Sequence, residues 1–186
     1  MKIDLRIIKT KKSIYEAFLK LLEKDSFEDL KVSEICELAM INRSTFYSHF
    51  DDKYMLLNSY INDLKDSLKE ELSKNTNITN SKEYYMEIIK LLLDHIDSKK
   101  DIYKTLMLNN KNSIAMDMFF NNLKDDIVNR IESSINKKTG IPNEFVYNFY
   151  MGAIFNVGMK WISSDYIYSK EDMIKYLDIL IPNELG

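Results

Sequence analysis

The segment "INRSTFYSHFDDK", Ile41 to Lys53, decides how the chain is read. It carries Arg43, Ser44, Thr45, Tyr47, Ser48 and His49, and its large apolar anchors are Phe46 and Phe50. At roughly 100° per residue, Phe46 and Phe50 share one face of a helix. Arg43 and Tyr47 share another, and so do Ser44 and Ser48. A helix with so few packing residues presents its polar face to something other than its own core.

Working outward, "VSEICELA" before it reads as a short helix from about Val32 to Ala39, with Val32, Ile35, Leu38 and Ala39 facing inward. Ser33 and Glu34 lie at its exposed N-terminal end. Residues 40–42 are then a three-residue turn, which gives the spacing of a helix-turn-helix. Asn42 is a suitable N-cap for the second helix, expected over about Arg43–Phe50. The exposed face suits the major groove, where the first residues of a recognition helix reach base edges. Arg43 can donate two hydrogen bonds to a guanine. Ser44 and Thr45 can bond a phosphate or meet a thymine methyl, and Tyr47 can use its ring or its hydroxyl. His49 and Lys53 fall near the DNA backbone, where contacts fix register without reading sequence. A short amphipathic helix after a tight turn is also common in helical proteins that bind no DNA.

The longer stretch "LKVSEICELAMINRSTFYSHFDDKYMLL" resembles the DNA-binding region of the TetR/AcrR family of bacterial transcriptional regulators, over roughly residues 6–60. "NRSTFY" and the "TFYSHF" core followed by Asp-Asp-Lys carry the resemblance. It implies a three-helix head whose fourth helix leads into a helical effector-binding and dimerisation domain, with the division at 1–52 and 53–186. It also implies that Arg43, Ser44 and Tyr47 make base contacts, and that Thr45, Ser48, His49 and Lys53 touch phosphates. The sequence departs from the family pattern at three places. Lys31 stands where threonine often caps the second helix; it can replace that phosphate contact electrostatically, beside Ser33. Met40 stands where glycine is usual, at about 1–2 kcal/mol if the residue is left-handed. Cys36 replaces a small residue and reads as a packing residue.

Composition agrees with an all-α chain. There are 4 glycines and 2 prolines in 186 residues, too few to punctuate a sheet protein. One cysteine excludes an internal disulfide, which suits a reducing cytoplasm. "MKIDLRIIKTKK" has no apolar run of signal-peptide length. The most apolar stretch, Phe145–Ile162, is broken by Asn148, Asn156 and Lys160 and falls short of a membrane span. Net charge is −3, but Lys2, Arg6, Lys9, Lys11 and Lys12 against Asp4 make the leading edge basic. A basic edge is weak support for a polyanion partner. His49, His95 and Cys36 are too few for a zinc cluster. Neither a G-x-S-x-G elbow nor a phosphate-binding glycine loop occurs. Glu70–Glu71 and Asp125–Asp126 are sequence neighbours and diverge on a helix. The expectation is therefore no enzyme, no cofactor and no metal.

Other helices are expected at about Arg6–Lys24, Asp51–Leu72, Lys82–Ser98, Ile102–Leu108, Ser113–Ile135, Glu144–Ser163 and Lys170–Leu180, with a polar break at "SKNTNITNS", Ser73–Ser81. "EFVYNFYMGAIFNVGMKWI" is apolar nearly all round and should be buried on more than one side. Gly152 and Ala153 permit close approach. With the last helix it can form a two-fold interface through Phe149, Gly152, Ala153, Asn156, Met159, Tyr176 and Leu180; a monomeric core helix is the alternative. Soft and aromatic residues between these regions, Tyr85, Tyr103, Met107, Met116, Phe119 and Phe120, are candidates to line a pocket for a small apolar or aromatic ligand. The functional expectation is a homodimeric repressor, bound to a palindromic operator in double-stranded DNA and released by that ligand. A helical protein–protein adaptor that keeps the head without reading an operator is the alternative.

Overall fold

A computed structural model describes residues 5–74, 78, 80–109, 118 and 140–181. The described elements are helices: α1 (Leu5–Leu22), α2 (Val32–Leu38), α3 (Arg43–Tyr47), α4 (Lys53–Lys74), α5 (Ser81–Ser98), α6 (Lys100–Asn109), α7 (Asn143–Ser163) and α8 (Lys170–Leu180). The helix expected at 113–135 lies outside the described residues. The chain divides into two compact units, residues 1–63 with 101–119, and residues 64–100 with 120–186.

The first unit is built on aromatic and branched residues at helical spacing. Ile14, Ala17, Phe18 and Leu22 of α1 are buried, as are Ile35 and Cys36 of α2, Phe46 of α3, Phe50, and Leu56, Leu57 and Ile61 of α4. Phe27, in the turn between α1 and α2, is fully buried edge-on to Phe18, with ring centroids 6.2 Å apart. One inward assignment is corrected: Leu38 is exposed, because the core meets only the inner edge of α2. Leu56 and Leu57 both enter the core.

This unit also takes in α6. Ile102 is buried in the same core, and the Thr105 hydroxyl donates to the Glu23 carbonyl at 3.0 Å. The first compact unit therefore extends past residue 52 along α4 and includes a segment some forty residues further on.

Local capping explains several helix starts. The Asp52 carboxylate accepts the Met55 N–H at 2.7 Å. The Asn80 side chain accepts from Glu83 N–H at 2.9 Å, and the Ser169 hydroxyl accepts from Asp172 N–H at 3.0 Å. The expected Asn42 cap is not made: its backbone is extended, as an N-cap requires, but its side chain accepts no helix N–H. α3 is correspondingly short and ends at Tyr47, with Ser48 and His49 in a turn.

In the second unit α5 packs on α8. Lys82 Nζ donates to the Asp178 carbonyl at 2.7 Å, and Lys170 Nζ pairs with Asp94 at 2.5 Å. Trp161 is buried at the end of α7 and donates its indole N–H to the Tyr168 carbonyl at 2.8 Å. No described helix is long and apolar enough to cross a membrane.

Candidate nucleic-acid interface

The helix-turn-helix is closed by α2's C-terminus. Met40 N–H donates to Glu37 O at 3.1 Å and Ile41 N–H to Cys36 O at 3.0 Å, the pair of bonds that ends a helix in a left-handed residue. That residue is Met40, at φ 54°, with its side chain 91% exposed. Ser13 of α1 donates to the Ala39 carbonyl at 3.2 Å and holds this turn against α1. At the other end of α2, the Glu34 carboxylate accepts the Lys31 N–H at 2.8 Å.

α3 is fastened from one side. Phe46 is fully buried, Phe50 nearly so, and their rings lie 5.7 Å apart. Arg43, Ser44, Tyr47 and Ser48 are exposed, and Thr45 and His49 are half-buried. The Tyr47 ring stands edge-on against Phe46 at 5.5 Å, so its orientation is restrained while 54% of the residue stays open. Ser48 donates its hydroxyl proton to the Thr45 carbonyl at 2.7 Å, yet its oxygen keeps accepting capacity. Lys31 is exposed and Ser33 half-buried at the start of α2. The candidate residues from Lys31 to His49 thus belong to two short helices and the turns around them. Cys36 is buried beneath them; burial raises its thiol pKa and the Arg43 charge offsets this only in part, so the thiolate is disfavoured.

Lys53, expected near the DNA backbone, is bonded within the fold of the DNA-free chain. Its ammonium donates to three backbone carbonyls, those of Phe27 (2.9 Å), Glu28 (2.6 Å) and Leu30 (3.0 Å). A phosphate would have to displace one of them.

A second fastening joins α1 to α4. The Tyr15 hydroxyl donates to Asp63 at 2.9 Å and lies 3.0 Å from the Ser59 hydroxyl, while Lys11 pairs with Asp63 at 2.8 Å. Burial disfavours the Lys11 charge, but the hydrogen bonds to Asp63 and Tyr15 outweigh it and its pKa rises. The Tyr15 ring packs on Phe50 at 6.1 Å and on Tyr60 at 5.4 Å. Sequence periodicity did not single out this network.

The six residues expected to line a pocket are not brought together among the described residues. Tyr85 packs with Val146 and Tyr147 in the second unit, while Tyr103 belongs to the first. The Met107 side chain, Met116, Phe119 and Phe120 lie outside the described residues. An open groove of about 640 Å³ runs between α5 and α8, lined by Met86 and Ile174 but also by Lys82, Lys90, Glu87, Glu171 and Asp178. Its lining is of mixed charge and includes none of the six.

On α7 and α8, Phe149, Ala153, Asn156, Tyr176 and Leu180 are exposed, and Gly152 and Met159 half-buried. Phe145 and Ile179, absent from the sequence expectation, are each 69% exposed beside them. A Cβ added at Gly152 or Gly158 would meet no described atom within 4 Å, so these glycines do not serve a close approach among the described residues.

Residues 14–60 match the family described as bacterial regulatory proteins, tetR family, and residues 83–183 match a transcriptional regulator C-terminal region. DhaS, the HTH-type dhaKLM operon transcriptional activator of Lactococcus lactis, is 30% identical over 105 residues, 55% of this chain and 51% of that protein. The matched part spans about half the length, or less, of the curated relatives. A TetR transcriptional regulator from Streptococcus agalactiae superposes with a TM-score of 0.70 at 28% identity, covering 97% of each chain. FadR of Bacillus subtilis, solved in complex with stearoyl-CoA, superposes at 0.71 over 90% of this chain and 95% of that one; at 17% identity it shows the fold alone. With both matches in place, the chain belongs to the TetR family of bacterial transcriptional regulators.

Proposed function

We propose that this regulator works as a homodimer in the cytoplasm, reads a palindromic operator, and is released from it by a small apolar or aromatic ligand. The observation that carries the DNA half is α3 with its following turn: the exposed Arg43, Ser44, Tyr47 and Ser48 on a segment held by Phe46 and Phe50. Arg43, Ser44 and Tyr47 take the bases. Lys31, Ser33, Thr45, Ser48 and His49 take phosphates and set the register. The exposed apolar residues of α7 and α8 support a two-fold interface with a second copy, which brings two heads to two half-sites. The division of labour follows the chain, with DNA reading in 1–52 and ligand binding and pairing in 53–186.

The ligand half rests on fold likeness. A structural neighbour holds stearoyl-CoA, which supports a ligand with a long apolar portion. Such a ligand releases DNA only by as much as it prefers the released arrangement over the bound one. A second reading reverses the sign: DhaS is an activator, so the bound regulator would promote transcription.

Selection from a random DNA library, against scrambled DNA at physiological salt, tests the proposal. A selected palindrome bound at least ~10³-fold more tightly is the expected result. Its position relative to a promoter then separates repressor from activator. No enrichment, with and without acyl ligands, would refute operator reading and favour a helical adaptor.

A further inference from the structure

Asp63 lies midway along α4 and takes two donors from α1. The Tyr15 hydroxyl donates to Oδ2 at 2.9 Å, and the Lys11 ammonium lies 2.8 Å from Oδ2 and 3.1 Å from Oδ1. Ser59, one turn earlier on α4, places its hydroxyl 3.0 Å from that of Tyr15. Burial raises the pKa of Tyr15, so its hydroxyl keeps the proton that it donates. The Tyr60 ring stands edge-on to Tyr15 at 5.4 Å. The side chains of Lys11 and Asp63 are 32% and 47% exposed, so water screens their charges and the ion pair adds little to stability. What the cluster supplies is direction. Lys11 and Tyr15 are one helical turn apart and converge on one carboxylate, which fixes the rotation of α1 against α4.

Tyr15 carries that constraint towards α3. Its ring stacks on Phe50 at 6.1 Å, and Phe50 lies 5.7 Å from Phe46, the buried anchor of α3. Phe50 also sits in the link from α3 to α4. The path from Asp63 through Tyr15 and Phe50 to Phe46 therefore closes α1, α3 and α4 into one body. A dimer that reads two half-sites needs its heads at a fixed separation, and each head is carried on its own α4. We infer that Asp63 is a positioning residue: with Tyr15 and Lys11 it clamps the head to α4, and so sets which spacing of half-sites the pair of heads accepts. The inference rests on the palindromic-operator proposal above.

Asp63→Ala, Tyr15→Phe and the double variant test it in the full-length chain, at a temperature where circular dichroism shows each folded. Affinity is measured for the selected palindrome, for the same half-sites moved apart or together by one base pair, and for scrambled DNA, across a salt series. One base pair turns a half-site by about a tenth of a helical turn, so the wild type should bind the altered spacings at least ~10-fold more weakly, as it would a mismatched base pair. Asp63→Ala should cut that spacing preference to about threefold or less, while a base substituted in each half-site still costs what it costs the wild type. Tyr15→Phe should cut it less, because Lys11 still holds Asp63. The double variant should lose no more than Asp63→Ala alone, because both single changes break the same bond. A wild-type spacing preference in variants that merely melt earlier would overturn the inference, leaving a structural carboxylate. Tighter binding of every DNA with a steeper salt slope in Asp63→Ala would overturn it too, since Asp63 would then only mask Lys11 from phosphate. If the wild type selects a palindrome but ignores its spacing, the inference fails while the reading of DNA stands. If it selects no palindrome, the operator reading fails and the spacing role with it. Amide exchange over residues 11–15 then reports on the clamp by itself: faster exchange in Asp63→Ala keeps it, unchanged exchange removes it.

Discussion

Replacing Met40 by glycine should stabilise the protein, although it deletes a large side chain. Met40 is left-handed at φ 54° because the turn demands it: its own N–H and that of Ile41 complete the end of α2. A side chain in that conformation costs about 1–2 kcal/mol from contact between Cβ and the carbonyl oxygen. The Met40 side chain is 91% exposed, so its removal gives up almost no burial. Glycine brings an opposing cost of about 0.4–1 kcal/mol through the greater freedom of the unfolded chain. The net gain is about 0.5–1 kcal/mol, or a rise in Tm of about 1–4 °C for a chain of this size. Thermal and urea unfolding at fixed protomer concentration read it out, because the proposed pairing would make both midpoints concentration-dependent. Alanine is the control: it keeps Cβ and the strain, and should leave stability near wild type. Valine, branched at Cβ, should lower it. Equal gains from glycine and alanine would refute the reasoning, because the benefit would then come from trimming an exposed thioether.

Arg43→Ala should cost about 1–3 kcal/mol on the operator and relax specificity at one base per half-site; equal loss on every sequence would remove its base-contact role. Tyr15→Phe removes the hydroxyl between Asp63 and Ser59 but keeps both ring contacts, and should lower stability by about 1 kcal/mol in urea melts. Phe149→Asp, on the exposed face of α7, should raise the dimer dissociation constant at least about tenfold in sedimentation equilibrium, with the monomer's helicity retained. His95 is held neutral by burial and by the Lys99 charge, with its pKa lowered from 6.5 to about 4. Its folded pKa lies below its unfolded one, so the stability it contributes is complete above pH 6.5 and is lost as the pH falls towards 4. The ceiling is about 3 kcal/mol, and roughly half that after allowance for its remaining contact with water; His95→Gln should flatten urea stability between pH 7 and pH 4.5.

Legibility followed the range of the interaction. α2, the turn and α3 are encoded by residues three and four apart, and their anchors Ile35, Phe46 and Phe50 were readable as such. The need for a left-handed residue at Met40 was visible in the sequence because glycine is usual there. What was not legible depends on distant segments. Nothing around Ile102 announces that it completes the core of the head, because a helical apolar stripe does not name the surface it meets. Tyr85 and Tyr103 looked alike as pocket candidates, yet they fall in different compact units. The all-round apolar character that suggested α7 was buried on more than one side was sound about composition, but Phe145 and Phe149 stand exposed, which a sequence cannot distinguish from a core helix.

Lys53 can be read in two ways. Read by position, a lysine after Asp-Asp at the start of a helix is a phosphate contact. Read by local physics, it is an anomaly: the two aspartates suit the positive end of the helix dipole and the lysine opposes it. Such a residue must be stabilised either by an anion that arrives with the ligand or by dipoles already present in the fold. The carbonyls of Phe27, Glu28 and Leu30 are present before any DNA arrives, and they use every proton the ammonium has. A phosphate would gain a partner only by unmaking one of these bonds, and the carbonyl released would then need water or another donor. Arg43 and Lys31 are exposed. Charge available to DNA is therefore counted first from side chains the fold leaves exposed, and Arg43 and Lys31 are such side chains.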